Sequence, residues 1–208
     1  DSLGDNITVV AGGQLTVAQA ITNNDGGNIA LTANGGTGDI LVQADVSITG
    51  SDATLNTNGN ISLTSDAAIT MDDGTTISTN SGLVDVTAVN DITVSAISTP
   101  SGEVRIDTTT GAVIDGGDSD IDITAASAAI QAATGIGATD ALETAISNLA
   151  FDNSDSGLVN ISNTGNLTIS NVNGVASSQN NNADAKLTVN GDLDIAEDIA
   201  LGTGNLLL

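Results

Sequence analysis

Gly59-Asn-Ile-Ser-Leu-Thr64 is followed in the chain by Leu83-Val-Asp-Val-Thr87 and then by Glu103-Val-Arg-Ile-Asp107. Each phrase holds two apolar residues one position apart: Ile61/Leu63, Val84/Val86 and Val104/Ile106. Alternation of this kind over a few residues marks a short strand with one buried face. The phrases recur at roughly 20 residues, the spacing of one turn of a repeat array. Working outward, the same phrase returns at Ile7/Val9, Ile29/Leu31, Ile121/Ile123, Val159/Ile161, Leu187/Val189 and Leu206/Leu208. A second pair follows within the repeat at Leu15/Val17, Ile69/Met71, Ile92/Val94, Leu167/Ile169 and Leu193/Ile195. A third, weaker stretch lies at Ile21, Ile77, Ile97, Val172 and Ile199/Leu201.

Three short strands per coil of about 20 residues predict an all-β, right-handed parallel β-solenoid. Asn58-Gly59, Asn173-Gly174 and Asn190-Gly191 supply corners. Each coil advances one strand spacing, so eight or nine coils make a rod on the order of 40 Å long. An antiparallel sandwich also uses many short strands. The coil-like period and the near absence of aromatics count against it. Phe151 is the one aromatic among 208 residues, and the apolar residues are almost all Ile, Leu, Val and Ala. Such a set fills a narrow core rather than a wide one.

The repeat predicts stacking of Ile61 on Val84, Val84 on Val104 and Val104 on Ile121, with Ser62, Asp85, Arg105, Asp122 and Asn160 as the outward file. Arg105 is then expected between Asp85 and Asp122, with Glu103 and Asp107 of its own strand as rival partners. Three stretches depart from the repeat. In residues 27–58, Ile40/Val42 and Val46/Ile48 fit the second and third strands, leaving Leu55 in a loop. Residues 133–156 read as an insertion. Within it Asp140-Ala-Leu-Glu143 has the form of a capping box, and Leu142, Ile146 and Leu149 follow at helical spacing. One short helix is therefore predicted at 140–150, anchored by Phe151. Residues 176–184 read as an exposed polar loop.

Two cations against 26 acidic residues give a formal net charge of −24. A chain so poor in Lys and Arg cannot neutralise phosphates, which excludes nucleic acid as a partner and attraction to anionic membrane surfaces. No apolar run is long enough for membrane insertion as a helix. Without Cys or His there are no thiolate or imidazole metal sites. The densest acidic cluster is Asp115-Gly-Gly-Asp-Ser-Asp120 with Asp122, and Asp115, Asp118 and Asp120 are the candidate Ca²⁺ ligands. Both fuller calcium motifs fail: Ile123 stands where an EF-hand loop needs glycine, and Ile40 where a nonapeptide repeat needs Asp. No catalytic or cofactor-binding set is predicted, because a general acid needs a carboxyl raised by burial and Asp122 is expected to face water. Lys186, the only lysine, is also expected to face solvent.

The phrases Gly59-Asn-Ile-Ser-Leu-Thr64, Gly165-Asn-Leu-Thr-Ile169 and Gly191-Asp-Leu-Asp-Ile195 resemble the repeats of filamentous-haemagglutinin-like adhesins. Ile136-Gly-Ala-Thr-Asp-Ala-Leu-Glu-Thr-Ala-Ile-Ser-Asn-Leu149, with Gly157-Leu-Val-Asn-Ile161, is similar to an insertion in very large bacterial β-strand-repeat surface proteins. The resemblance implies secretion, display at the outer cell surface, and a role in adhesion or filaments. It supplies no catalytic residues, and it leaves a surface receptor or glycan unnamed. Residues 1–208 are thus expected to form one solenoid segment of a longer chain. Ile7 and Val9 at one edge, and Leu206, Leu207 and Leu208 at the other, are the expected assembly edges, meeting either further coils of the same chain or another copy. A subunit of a polymeric extracellular filament is the rival reading, and an acidic cation-binding matrix protein a third.

Overall fold

A computed structural model describes residues 4–50, 58–117, 119–181 and 183–208. The chain winds as an all-β parallel β-solenoid of about eight turns. Every pairing between its strands is parallel; one antiparallel bridge joins Val172 and Val175. Parallel coils put equivalent residues directly above one another. Ile7, Ile29, Ile61, Val84, Val104, Ala128 and Leu149 form one inward file of the first face, and Val9, Leu31, Leu63, Val86, Ile106, Ile130 and Phe151 the other. The second face begins Leu15, Ile40, Ile69, Ile92, Val113, and continues through the bridge at Ile136 to Val159. The third runs Ile21, Val46, Ile77, Ile97, Ile123. These files make one continuous aliphatic core. Phe151 is fully buried within it.

Two side-chain devices fasten coil to coil. The first explains the Asn or Asp that precedes so many inward residues. Its side-chain oxygen accepts the backbone N–H of the equivalent residue one coil on. Asn6 accepts from Asn28, Asn28 from Asn60 and Asn60 from Leu83, at 2.8–2.9 Å. Asp39, Asp45, Asp91 and Asp184 do the same for Ala68, Thr76, Ala112 and Asn205. A donor at a strand entry is thereby satisfied without water. The second device is a glycine file. A Cβ on Gly59 would collide with the backbone of Gly27, one on Gly82 with the carbonyl of Gly59, and one on Gly102 with that of Gly82. At this corner the coils approach too closely for any side chain.

In the stretch 27–58, Ile40–Val42 and Val46–Ile48 are the second and third strands, as expected; Leu55 lies outside the described residues. Four expectations are corrected. The helix at 140–150 is absent: Leu142–Ala145 and Asn148–Asn153 are strands. Leu142, Ile146 and Leu149 are all buried, but they sit on two strands and the corner between them, and that arrangement imitates helical spacing. The presumed capping residue Glu143 has its own N–H held by Asp122 of the preceding coil, 2.7 Å away. Residues 133–156 accordingly stay in register with the neighbouring coils, through the bridge at Ile136 and these two strands, and do not form an insertion. Within 176–184, Ser178–Asn180 is a strand whose inward residues are polar. Asn180 is fully buried, accepts from Asn153 at 2.8 Å and donates to the carbonyl of Asp184 at 2.7 Å. Finally, Val104 stacks on Ala128 rather than on Ile121, which is exposed. The acidic turn delays the chain, so Ile123 enters the third face opposite Ile97, and the Ala-rich segment Ser127–Ala132 supplies the next first-face strand.

The glycine file yields a paired test. Gly82→Ala is expected to destabilise by about 1–3 kcal/mol, because the added methyl meets immovable backbone. Gly12→Ala, with open space around it, is expected to stay within about 0.5 kcal/mol of the parent. Urea unfolding of the two variants checks this.

Candidate functional site

The outward side of the first face carries one ion cluster. Asp85 and Arg105 are register partners on adjacent coils, and Arg105 Nη1 donates to Asp85 Oδ1 at 2.9 Å and to Thr87 Oγ1 at 3.2 Å. Its Nη2 binds Asp107 of its own strand. Half of the expected ladder is therefore present. The other half is not: the residue across from Arg105 on the next coil is Ala129, and Asp122 is buried on another face. Lys186 is exposed, as expected from its place beside inward Leu187.

Beyond Arg105 the outward file becomes apolar, with Ala129 and Ala150 in register. Both are fully buried because a hairpin folds back over them. Val172 and Val175 bridge antiparallel, with Asn173 and Gly174 at the turn in left-handed conformations, φ 49° and 82°. Asn-Gly is the residue pair that such a two-residue turn demands. The two valines pack on Ala129 and Ala150, and the Asn173 amide binds Glu103. Beside this strap lies a polar cleft of about 280 Å³, bordered by Arg105, Gln131, Asp152, Asn173 and Gln179. Gln179 donates to Asp152 at 2.8 Å.

The acidic turn resolves differently from the sequence expectation. Asp115 is buried, Asp120 is exposed, and Asp118 lies outside the described residues. Asp115 instead converges with Asp122 and Glu143, their carboxylate atoms lying within 4.8 Å of one another. Asp115 occupies an inward position of the second face, opposite Val94, where Val17, Val42 and Met71 stand in earlier coils. Asp122 does for Glu143 what Asp39 does for Ala68. It does so at only 2% exposure. Burial pushes the Asp122 carboxyl up to about 8; the nearby Asp115 and Glu143 charges add to this and the Glu143 N–H opposes it. A hard cation seeks about six to eight oxygens. Three carboxyl groups, one of them engaged with a backbone N–H, fall short of that set. Period-two reading gives no sign of this cluster beyond an Asp following Val113-Ile114, which breaks the aliphatic file.

Asp66 is the opposite case. Its carboxylate gathers the N–H groups of Gly35 at 2.7 Å, Gly36 at 2.8 Å and Gly38 at 3.3 Å. The bond from Gly36, supported by those from Gly35 and Gly38, holds its carboxyl below the ordinary value of 3.8. The Gly-rich turn at 34–38 is thus organised around an anion from the following coil.

The chain matches no protein-family model, no curated protein and no solved structure.

Because the Asp66 carboxyl is lowered on folding, its contribution is present above 3.8 and is lost as pH falls through the folded value. Asp66→Ala is expected to be less stable than the parent near neutrality, with the gap closing in acid. Thermal melts of both proteins across this range check it; a gap that persists below the carboxylate range would contradict the assignment.

Proposed function

We propose that this chain is a structural, non-catalytic β-helical segment of a secreted bacterial adhesin or stalk protein, which spans distance and presents loops at the cell surface. The observation that carries the reading is the unbroken parallel ladder: each coil is fastened to the next by backbone, by stacked aliphatics and by the Asn/Asp relay. A structure of this kind transmits length and stiffness, and its stability is a sum of neighbouring-coil terms. The strap at 172–175 and the cleft beside it are the features best placed for display. The repeat phrases that resemble filamentous-haemagglutinin-like adhesins point the same way. The strong negative charge keeps such a rod soluble and discourages lateral association.

The rival reading, end-to-end stacking into a filament, is favoured by one observation. Among the described residues, strands Ile7–Ala11 and Leu206–Leu207 each pair on one side only, and Leu207 is half exposed. The two edges are complementary, because every relay oxygen points toward the following coil and every waiting N–H toward the preceding one.

Electron microscopy of the purified segment, together with antibody labelling of intact cells of its source, tests both readings. The spacer reading expects short separate rods, on the order of 40 Å long, and labelling without permeabilisation. Concentration-dependent fibres would favour the filament, and labelling only after permeabilisation would remove both.

A further inference from the structure

Four Asn-Gly pairs occur in the chain: Asn34-Gly35, Asn58-Gly59, Asn173-Gly174 and Asn190-Gly191. Such a pair carries a latent reaction, because glycine has no side chain to obstruct its own backbone nitrogen. That nitrogen attacks the Asn side-chain carbonyl carbon. The new N–Cγ bond closes a cyclic imide, the Cγ–Nδ2 bond breaks, and Nδ2 leaves as ammonia with the proton of the Gly N–H. Solvent water then opens the imide at either carbonyl, giving aspartate or isoaspartate. The reaction needs an accessible Asn side chain, an unengaged Gly N–H and a backbone able to bring them together. The fold withholds these from three of the pairs. The Gly35 N–H donates to Asp66 at 2.7 Å. The Asn58 side chain is tied at both atoms, Nδ2 donating to the Gly50 carbonyl and Oδ1 accepting from Ser81. Asn190 ends strand Ala185–Asn190, its carbonyl accepts the Gly165 N–H at 3.0 Å, and a Cβ on Gly191 would collide with the Gly165 backbone. Asn173 and Gly174 are both exposed. The Gly174 N–H makes no hydrogen bond among the described residues, and nothing lies within 4 Å of where its Cβ would stand.

This pair is also the one that fastens the strap. The Asn173 amide donates to Glu103, and Glu103 is held on the wall by the Ser127 hydroxyl at 3.4 Å. Beneath the tip, Val172 and Val175 cover Ala129 and Ala150. We propose that Asn173 is a site of spontaneous covalent modification, and that its conversion unfastens the strap and uncovers the apolar patch at Ala129 and Ala150. An ionised carboxylate can only accept hydrogen bonds. Conversion therefore removes the donor and sets a second negative charge against Glu103, and like charges so opposed destabilise their contact. Arg105, the cation bordering the same cleft, is already engaged with Asp85 and Asp107. Isoaspartate has a further effect: it routes the main chain through the former side chain, and the lengthened turn no longer fits a two-residue hairpin. The strap is thus a cover with a lifetime, set by chemistry in its own tip. Nothing in this depends on whether the rod is a spacer or a filament.

The test uses the full chain, incubated in mildly alkaline buffer, where loss of the Gly N–H proton is favoured and the attack quickens. Peptide mapping by mass spectrometry reads amide-to-acid conversion at each of the four asparagines. Asn173 should convert ahead of the other three in the folded protein, and that lead should vanish in urea, where the fold no longer distinguishes the pairs. If Asn34, Asn58 or Asn190 converts as fast as Asn173 in the folded protein, the assignment of the site is wrong. The consequence is read by hydrogen exchange at Val172 and Val175, whose N–H groups bond to each other's carbonyls at 3.2 and 2.9 Å. Asn173→Asp should lose protection there. Adding Glu103→Gln should restore it, because the glutamine amide donates to the new carboxylate. Full protection in Asn173→Asp, or no recovery in the double variant, would overturn the release. The aged parent supplies the same reading without substitution: its converted fraction should exchange faster at 172–175 than its unconverted fraction, and equal exchange refutes the proposal even should a variant not fold.

Discussion

A parallel coil-on-coil register places each residue about 4.8 Å from its equivalents above and below, and most of this molecule follows from that spacing. Inward positions must be filled by side chains that stack on copies of themselves, so unbranched volume matters less than uniformity. Ile, Val and Leu satisfy this in file after file. The same spacing is hostile to charge, because two identical carboxylates on neighbouring coils would face each other directly. The outward file of the first face shows how the conflict is handled: Ala30, Ser62, Asp85, Arg105, Ala129 and Ala150 never place two acids in succession.

The acidic residues are better understood as hydrogen-bond acceptors than as a charged coat. A parallel ladder leaves an N–H to be satisfied at each strand entry, and Asn or Asp one coil back satisfies it. Asp adds charge-assisted strength to that bond, and the accumulation of such positions accounts for part of the net charge. Asp66 carries the idea further by gathering three amides of a glycine-rich turn. Arg105 offsets Asp85 and Asp107 where acids do come close. Being only partly buried, it contributes within the modest range of such pairs, about 0.2–1 kcal/mol.

Aliphatic alternation made the solenoid legible, including the first face from Ile7 to Val104, the strands at Ile40–Val42 and Val46–Ile48, and the Asp85–Arg105 pair. Legibility failed where inward residues stop being large and apolar. Ala128 fills the place assigned to Ile121, Thr144 and Asn163 continue the third face after Ile123, and Ser178 and Asn180 form a strand with no aliphatic residue. Buried amides of this kind pair along the stack, as Asn163 does with Thr144 at 2.9 Å, so their polarity is satisfied by register alone. The helix at 140–150 failed for a related reason. Local spacing suggested a period of 3.6 residues, but the N–H of Glu143 already had a partner in the preceding coil, and tertiary pairing overrode the local preference. The carboxyl cluster was invisible because Asp115 and Glu143 meet only once the chain has travelled more than a full coil.

These departures are not scattered. Among the described residues up to Val94 the three faces stack in register on inward files that are mainly aliphatic. From the shift between Thr99 and Glu103 onward, the chain gathers its buried carboxyl cluster, its Ala-rich strand, its polar inward files and its strap over Ala129 and Ala150. A natural sequence tolerates locally unfavourable choices chiefly where something other than stability is being specified. The small alanines at 129 and 150 make this concrete. They are outward positions that a free-standing coil has no reason to keep apolar, and they match the two valines of the strap. Residues so far apart in the chain are therefore fitted to each other, and the strap is a built part of the wall. A hairpin packed on the wall beside a polar cleft has less conformational entropy to lose on binding than an unpacked loop would have. On the reading proposed above, the aliphatic coils would set distance and orientation, and the strap with its cleft would be the shape that a partner meets.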